Sequence, residues 1–322
     1  MDKHARVTTF DRPPAVTNLW SDPRWTIPEL IAAKRGRTVS VVMPALNEEK
    51  TIGGVIRSVT PLVGSLVDEL VVLDSGSTDN TRPLAESAGA TVYSREEAVP
   101  DLAVRPGKGE VLWRSLAATS GDLIVFIDSD LVEPDPLFVP ALLGPLLLHS
   151  EIQLVKGFYR RPVTVGSRTD DHGGGRVTQL VARPLLAALK PELDCVLQPL
   201  GGEYAATRAL LSEIPFAPGY GVEIGILLDT FDRFGLNGIG QVNLGVREHR
   251  NRPIDELAVM SRQIVATLLS RLGICDSGVG LTTFGVDGRP LSTATAQLSL
   301  LDRPPMRSID ERSRSVRAVA DA

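Results

Sequence analysis

Short β-branched runs that stop at polar loops and give way to helical spacing recur along the first half of this chain, and that alternation leaves few folds open. Residues 39–43, apolar but for Ser40, form a short run that closes on Pro44, after which Ile52, Val55, Ile56 and Val59 repeat at i, i+3, i+4 and i+7. Residues 69–73 end in the polar cluster 74–81, a helical stretch follows around 83–88, and 90–93 reads as a third strand. A helix over 110–118 leads into 122–127, the plainest buried strand in the sequence. Strands alternating with helices over short loops predict an α/β fold with a mostly parallel, Rossmann-like sheet flanked by helices. Ligands of such sheets gather beyond the carboxyl ends of the strands. That rule singles out the loops 44–48, 74–77 and 128–130, and their convergence is the central expectation.

The texture divides the chain into four parts. Residues 1–37 read as an N-terminal arm, 38–150 as the strand-and-helix half, 151–272 as a second half, and 273–322 as an extension whose end, beyond Leu301, is a loose tail. Within the second half, 154–159 predicts a strand and 160–175 a polar, Gly-rich stretch opening into a helix over 176–189. A strand over 203–207, a helix over 221–234, a strand over 240–248 and a long helix over 254–272 follow, the last a core or oligomer element.

Composition excludes several function classes. Across 322 residues, 39 Asp and Glu outweigh 34 Lys and Arg, a net charge of −5 that argues against nonspecific binding of nucleic acid or anionic membranes. Cys195 and Cys275 cannot form a disulfide framework or a zinc cluster and read as buried free thiols. No signal-like segment opens the chain and no apolar run reaches the ~18 residues of a membrane span. The greasiest stretch, 141–148, is broken by Gly144 and Pro145. The expectation is a cytoplasmic protein. Motifs of dinucleotide-binding dehydrogenases, serine hydrolases and zincins are missing.

The residues that could carry chemistry sit in or near those loops. Asp128 and Asp130 stand two apart just past a buried strand, where one can face a hard divalent ion and the other a sugar hydroxyl; a turn or helix cap is the plainer alternative. Lys108, between two glycines before a helix, sets a cation beside open backbone amides, or is a solvated turn lysine. Asn47 and Glu48 either cap the next helix or line a nucleotide. His249, in the most basic window of the chain, is a metal ligand or a structural histidine. The Gly-rich segment ending at Arg176, with Thr178 beyond and Arg160, Arg161 and Arg183 near in sequence, offers a helix N-terminus and guanidinium groups to a small anion. Glu223 opens an otherwise apolar helix after Tyr220, where glycines let a ligand approach the backbone.

With these residues in place the chain resembles nucleotide-sugar glycosyltransferases of the GT-A fold, through Val-Val-Met-Pro-Ala-Leu-Asn-Glu-Glu, Val-Leu-Asp-Ser-Gly-Ser-Thr-Asp, Gly-Lys-Gly and Asp-Ser-Asp. More narrowly it resembles the retaining glucosyl-3-phosphoglycerate synthase family, through Gly-Gly-Gly-Arg-Val-Thr, Pro-Gly-Tyr-Gly-Val-Glu and Arg-Glu-His-Arg-Asn-Arg. The resemblance runs from about residue 39 to 272. It implies a nucleotide-sugar-binding half over 38–150 and an acceptor-binding half over 151–272. By the same resemblance, UDP-glucose is held by Pro44, Ala45, Leu46, Asn47, Glu48, Ser75 and Lys108, with Asp128, Ser129 and Arg247 nearby. Tyr220, Gly221, Val222 and Glu223 face the glucose, and Glu223 and Asp128 are the catalytic positions. Asp130 and His249 bind Mg²⁺ or Mn²⁺, while Gly175, Arg176, Val177, Thr178, Asn251 and, as a further contact, Arg160 grip 3-phosphoglycerate. The family also implies transfer to the acceptor 2-hydroxyl with retention, an early step of methylglucose lipopolysaccharide synthesis, and a homodimer. Another donor such as GDP-mannose, a lipid-phosphate acceptor, or a catalytically silent nucleotide-sugar sensor are the competing readings.

Overall fold

The run Val-Ser-Val-Val-Met-Pro-Ala builds the strand Val39–Ala45, buried everywhere but at Pro44, because β-branched side chains suit a pleated surface covered on both faces. It pairs in parallel with Glu69–Asp74 on one side and Leu123–Phe126 on the other. In the computed structural model, residues 17–132, 134–161, 163–165, 168–170, 175–249, 253–285 and 292–309 are described, with backbone alone for 163–165, 168–170, 248 and 249. Eight strands make one sheet, in the order Leu19–Trp20, Ile239–Val246, Leu154–Arg160, Tyr204–Thr207, Leu123–Phe126, Val39–Ala45, Glu69–Asp74 and Thr91–Ser94. Tyr204–Thr207 alone runs antiparallel to both its neighbours, so the expected mostly parallel α/β sheet is what the chain forms.

Separate cores cover the two faces. On one, the helix Ile52–Val59 buries the four residues whose spacing marked it, beside the helices Ile27–Lys34 and Phe138–Leu148. On the other lie the helices Lys108–Ala118, Val222–Phe234 and Ile254–Arg271. The greasy stretch around residue 141 is thus a buried helix that carries Pro145 within it, and no described helix is long and apolar enough to cross a membrane.

Three expectations need correction. The described part of the N-terminal arm is ordered: Leu19–Trp20 adds an edge strand, and Thr26 with Glu29 forms a capping box that starts the helix Ile27–Lys34. That helix buries only Leu30 and Lys34, so no apolar stripe marks it in the sequence. At the other end, residues 301–309 are a strap rather than a loose tail: Arg303 is buried, bridges Phe216 through its backbone and ion-pairs with Glu110 at 2.6 Å, while Trp113 Nε1 donates to the Pro304 carbonyl at 2.8 Å. Cys195 is buried as expected but Cys275 is exposed.

Smaller differences fall near the site. The helix expected over 176–189 is π-helical from Thr178 to Ala182 and α-helical over Arg183–Leu189. The strand expected over 240–248 stops at Val246, and Glu248–His249 pairs instead with Leu131–Val132, placing His249 opposite Leu131.

Candidate active site

The three loops picked out by the strand-end rule meet at one rim of the sheet, tied to each other by hydrogen bonds. Asp74 closes the second loop by accepting from the amides of Gly76 and Ser77. Asn47, at φ 56°, accepts from the Thr78 amide at 2.9 Å, and the Asn47 amide donates to Ser77 Oγ at 2.9 Å. Ser129 Oγ donates to the Pro44 carbonyl at 2.6 Å, joining the third loop to the first. Proline has no amide to give the ladder, but its carbonyl serves as this tie.

A cleft of about 720 Å³ opens above that rim. Pro44 to Glu48 and Ser75 line one side, Lys108 and Asp128 to Asp130 the floor, Gly175 to Thr178 the far wall, with Tyr220, Glu223 and Arg247 between them. Lys108 is the first residue of its helix, not a solvated turn lysine: its Nζ lies 2.6 Å from Asp128 Oδ1 and 2.8 Å from Glu223 Oε1. Burial opposes the charge, but Asp128 and Glu223 outweigh it and hold the ammonium well above its usual range. Asp128 answers the same way. Burial raises it, yet Lys108 and Arg247 pull it below the ordinary carboxylate range, so it is ionised at neutral pH. Gly107, at φ 100°, allows the close approach that seats Lys108, since a Cβ there would stand 2.8 Å from the Gly219 Cα.

Arg247 locks the two carboxylates of Asp-Ser-Asp together. Its Nη2 donates to Asp128 Oδ2 at 2.8 Å and to Asp130 Oδ1 at 3.0 Å. From beneath, its Nε lies 3.0 Å from Glu203 Oε1, and Glu203, wholly buried, accepts from Tyr159 OH at 2.6 Å. Burial pushes Glu203 above the usual carboxylate range, against the pull of Arg247. His249 follows two residues after Arg247, and its backbone stands in register with Leu131, the neighbour of Asp130. Among the described residues no group of three or more His, Cys, Asp or Glu side chains converges as a closed metal site. Asp130 supplies a carboxylate at this rim, and a hard cation there can take its remaining ligands from a diphosphate.

Not every expected contact is made. Gly221 and Val222 are buried at the helix start and stay off the cleft surface; a Cβ on Gly221 would meet Thr267 Oγ1 at 2.0 Å. Arg160 is exposed and off the cleft, because strand alternation turns it outward, while Arg161 lines the cleft and donates to Tyr159 OH at 2.5 Å. Asn251 lies outside the described residues. Arg161, named with its neighbours as a possible anion contact, is the arginine that lines the cleft in place of Arg160, while the sequence did not point to Glu203, Gly202 or the wall supplied by the long helix. That helix faces the cleft with Leu257, Met260 and Ile264, and its Gln263 Oε1 accepts from the Tyr220 amide at 2.9 Å. The overlooked signal was a charge within a buried strand, as at Lys156, or beside one, as at Glu203.

Comparison with known proteins agrees with this architecture. The family model for glycosyl transferase family 2 matches residues 40–189. Fold and site together define a GT-A-like glycosyltransferase, a hexosyltransferase by its relatives. The glucosyl-3-phosphoglycerate synthase of Mycolicibacterium smegmatis is 66% identical over 293 residues, 91% of this chain and 97% of that protein. The crystal structure of the Mycobacterium tuberculosis synthase with Mn²⁺, UDP-glucose and phosphoglyceric acid aligns with a TM-score of 0.84 at 66% identity, covering 90% of this chain and 98% of that one. The same enzyme with Mg²⁺ and UDP aligns at 0.85 and 66% identity, over 91% of this chain and 99% of that one. The chain belongs to the glucosyl-3-phosphoglycerate synthase family.

Proposed function

We propose that this enzyme transfers glucose from UDP-glucose to the 2-hydroxyl of 3-phospho-D-glycerate with retention, giving glucosyl-3-phosphoglycerate and UDP. The observation that carries the reading is the meeting, in one cleft, of the Lys108–Asp128–Glu223 cluster, Asp130 and the anion-suited wall at Gly175, Arg176, Val177 and Thr178, with the His249 backbone paired opposite Leu131, next to Asp130. The relatives crystallised with UDP-glucose, phosphoglyceric acid, Mn²⁺ and Mg²⁺ support it.

In this reading Pro44 to Glu48 and Ser75 hold the uridine diphosphate and Asp128 and Ser129 meet ribose and sugar. Asp130 and His249 hold Mg²⁺ or Mn²⁺, which when bound offsets the charge that develops on the diphosphate. Lys108 and Arg247 set further positive charge beside that leaving group without reorganising. Glu223 orients the glucose. Arg176 and the helix start at Thr178, joined by Arg161, grip the acceptor phosphate or carboxylate. The anomeric C–O bond to the diphosphate breaks, the acceptor 2-hydroxyl oxygen bonds to the same face of that carbon, and its proton passes to the departing phosphate oxygen. The reading also takes the enzyme as a cytoplasmic homodimer that feeds methylglucose lipopolysaccharide synthesis; the exposed Val279 and Phe284 support a covered surface, and light scattering checks the mass.

The test is UDP release from UDP-glucose, with and without 3-phosphoglycerate and with and without EDTA. Release that needs both acceptor and metal is expected, with the α-linked product seen by NMR. Release indifferent to 3-phosphoglycerate overturns the reading.

A further inference from the structure

One buried cation has no part in the mechanism above. Lys156, in the middle of the strand Leu154–Arg160, is 2% exposed. It stands in register with Tyr204 on one side and Gln241 on the other, so these three side chains share a face of the sheet. Lys156 Nζ lies 4.6 Å from the Tyr204 ring centroid and donates to the Gly201 carbonyl at 2.6 Å. Gln241 takes hold of the same crossing segment earlier: its Oε1 accepts from the Leu197 amide at 2.8 Å and its Nε2 donates to the Cys195 carbonyl at 3.2 Å.

That segment ends under the reacting centre. Leu200 and Gly202 line the cleft, and a Cβ on Gly202 would stand 2.2 Å from Asp128 Oδ2, so the Asp128 carboxylate rests on the bare Gly202 backbone. In a trans peptide the carbonyl and the following N–H point opposite ways. With the Gly201 carbonyl drawn to Lys156 Nζ, the Gly202 N–H points away from that ammonium. A lysine kept there is costly: burial lowers its ammonium to about 8, with Glu223, Glu203 and Asp128 pulling it up and Lys108 pushing it down.

We propose that Lys156 is a positioning residue that, by holding the Gly201 carbonyl from inside the sheet, fixes the Gly201–Gly202 peptide as the seat of the Asp128 carboxylate. The role in turnover rests on the glucosyl-transfer reading above. The seat itself does not.

Lys156→Met should lower kcat about 10²-fold, the usual scale for an ångström of misplacement at a reacting centre. The acceptor KM should stay near wild type, since Arg176 and the helix start beside it are not touched. Gly202→Ala, which crowds the same carboxylate, should show the same split, and the double variant should lose no more than the worse single one. A crystal structure of Lys156→Met should show the Gly201 carbonyl turned and the Asp128 carboxylate moved. Wild-type kcat in Lys156→Met, an unmoved Gly201 carbonyl, or losses that multiply in the double variant would overturn the proposal. If Lys156→Met does not fold, Gly202→Ala at wild-type kcat overturns it alone. Should the wild-type enzyme release no UDP with 3-phosphoglycerate, the functional reading fails, and the crystal structure still decides the seat.

Discussion

Arg247 shows how one residue's chemistry is set by what lies under it. A guanidinium bridging Asp128 and Asp130 would drift if nothing held its other edge; Glu203, anchored by Tyr159, does so from the buried side. Removing one partner of such a pair costs about 3–5 kcal/mol. Glu203→Gln should therefore lower the unfolding midpoint and weaken metal-dependent UDP binding together, measured by urea titration and calorimetry; binding that is unchanged would show that Arg247 needs no support. At the far wall, Arg176→Ala should raise the KM for 3-phosphoglycerate about 10-fold or more, the worth of one charge-assisted hydrogen bond, and leave that for UDP-glucose nearly alone. Equal effects on both would remove the anion site from Arg176. The motif residues in the loops were legible because polar groups directly after apolar runs stand out. Arg161 was not separable from Arg160, since only the strand's register decides which of two adjacent arginines faces the cleft.

Among the elements, the C-terminal strap has the clearest energetic role. Glu110 pairs with Arg114 of its own helix at 2.6 Å and with Arg303 of the strap at 2.6 Å, fixing the helix that begins at Lys108. Arg303→Met leaves Glu110 with one cation and should destabilise the fold by about 3 kcal/mol, read as a lower urea midpoint; an unchanged midpoint would mean that the strap holds without it. A second tie to the strap is pH-sensitive. Arg271 of the long helix joins Asp229 at 2.8 Å and Asp302 at 2.6 Å. Burial, opposed by Arg271, pushes Asp229 up to about 6. The folded chain thus holds this proton more tightly than the unfolded one, so the contribution to stability is complete below about pH 4 and is lost as pH rises through about 6. Asp229→Asn removes that slope: across this window the wild type should lose stability relative to the variant, and parallel urea midpoints would refute the assignment. The long helix was readable from its period, but its use as a cleft wall and strap anchor was not, because both depend on partners remote in sequence.

At the scale of the molecule, two hydrophobic cores share one sheet, and strands common to both leave neither face able to melt alone. The three tryptophans report on this: Trp20 and Trp25 pack against one core and Trp113 lies in the other. Denaturation followed in Trp113→Phe, and separately in Trp20→Phe/Trp25→Phe, should show each face unfolding in one transition with its midpoint in calorimetry of the same variant; a fluorescence midpoint well off the calorimetric one would show separable halves. The alternating layers and the loops that bear the chemistry were legible because side-chain period and strand-end position are local properties written into neighbouring residues. What no local pattern showed is that Lys108 sits between Asp128 and Glu223, that Glu203 lies under Arg247 and Lys156 under the Gly201 carbonyl, and that residues 19–34 and 301–309 join the fold. Those arrangements depend on strand order and register, which bring together residues such as Glu110 and Arg303, 193 positions apart, and no short window of sequence carries that distance.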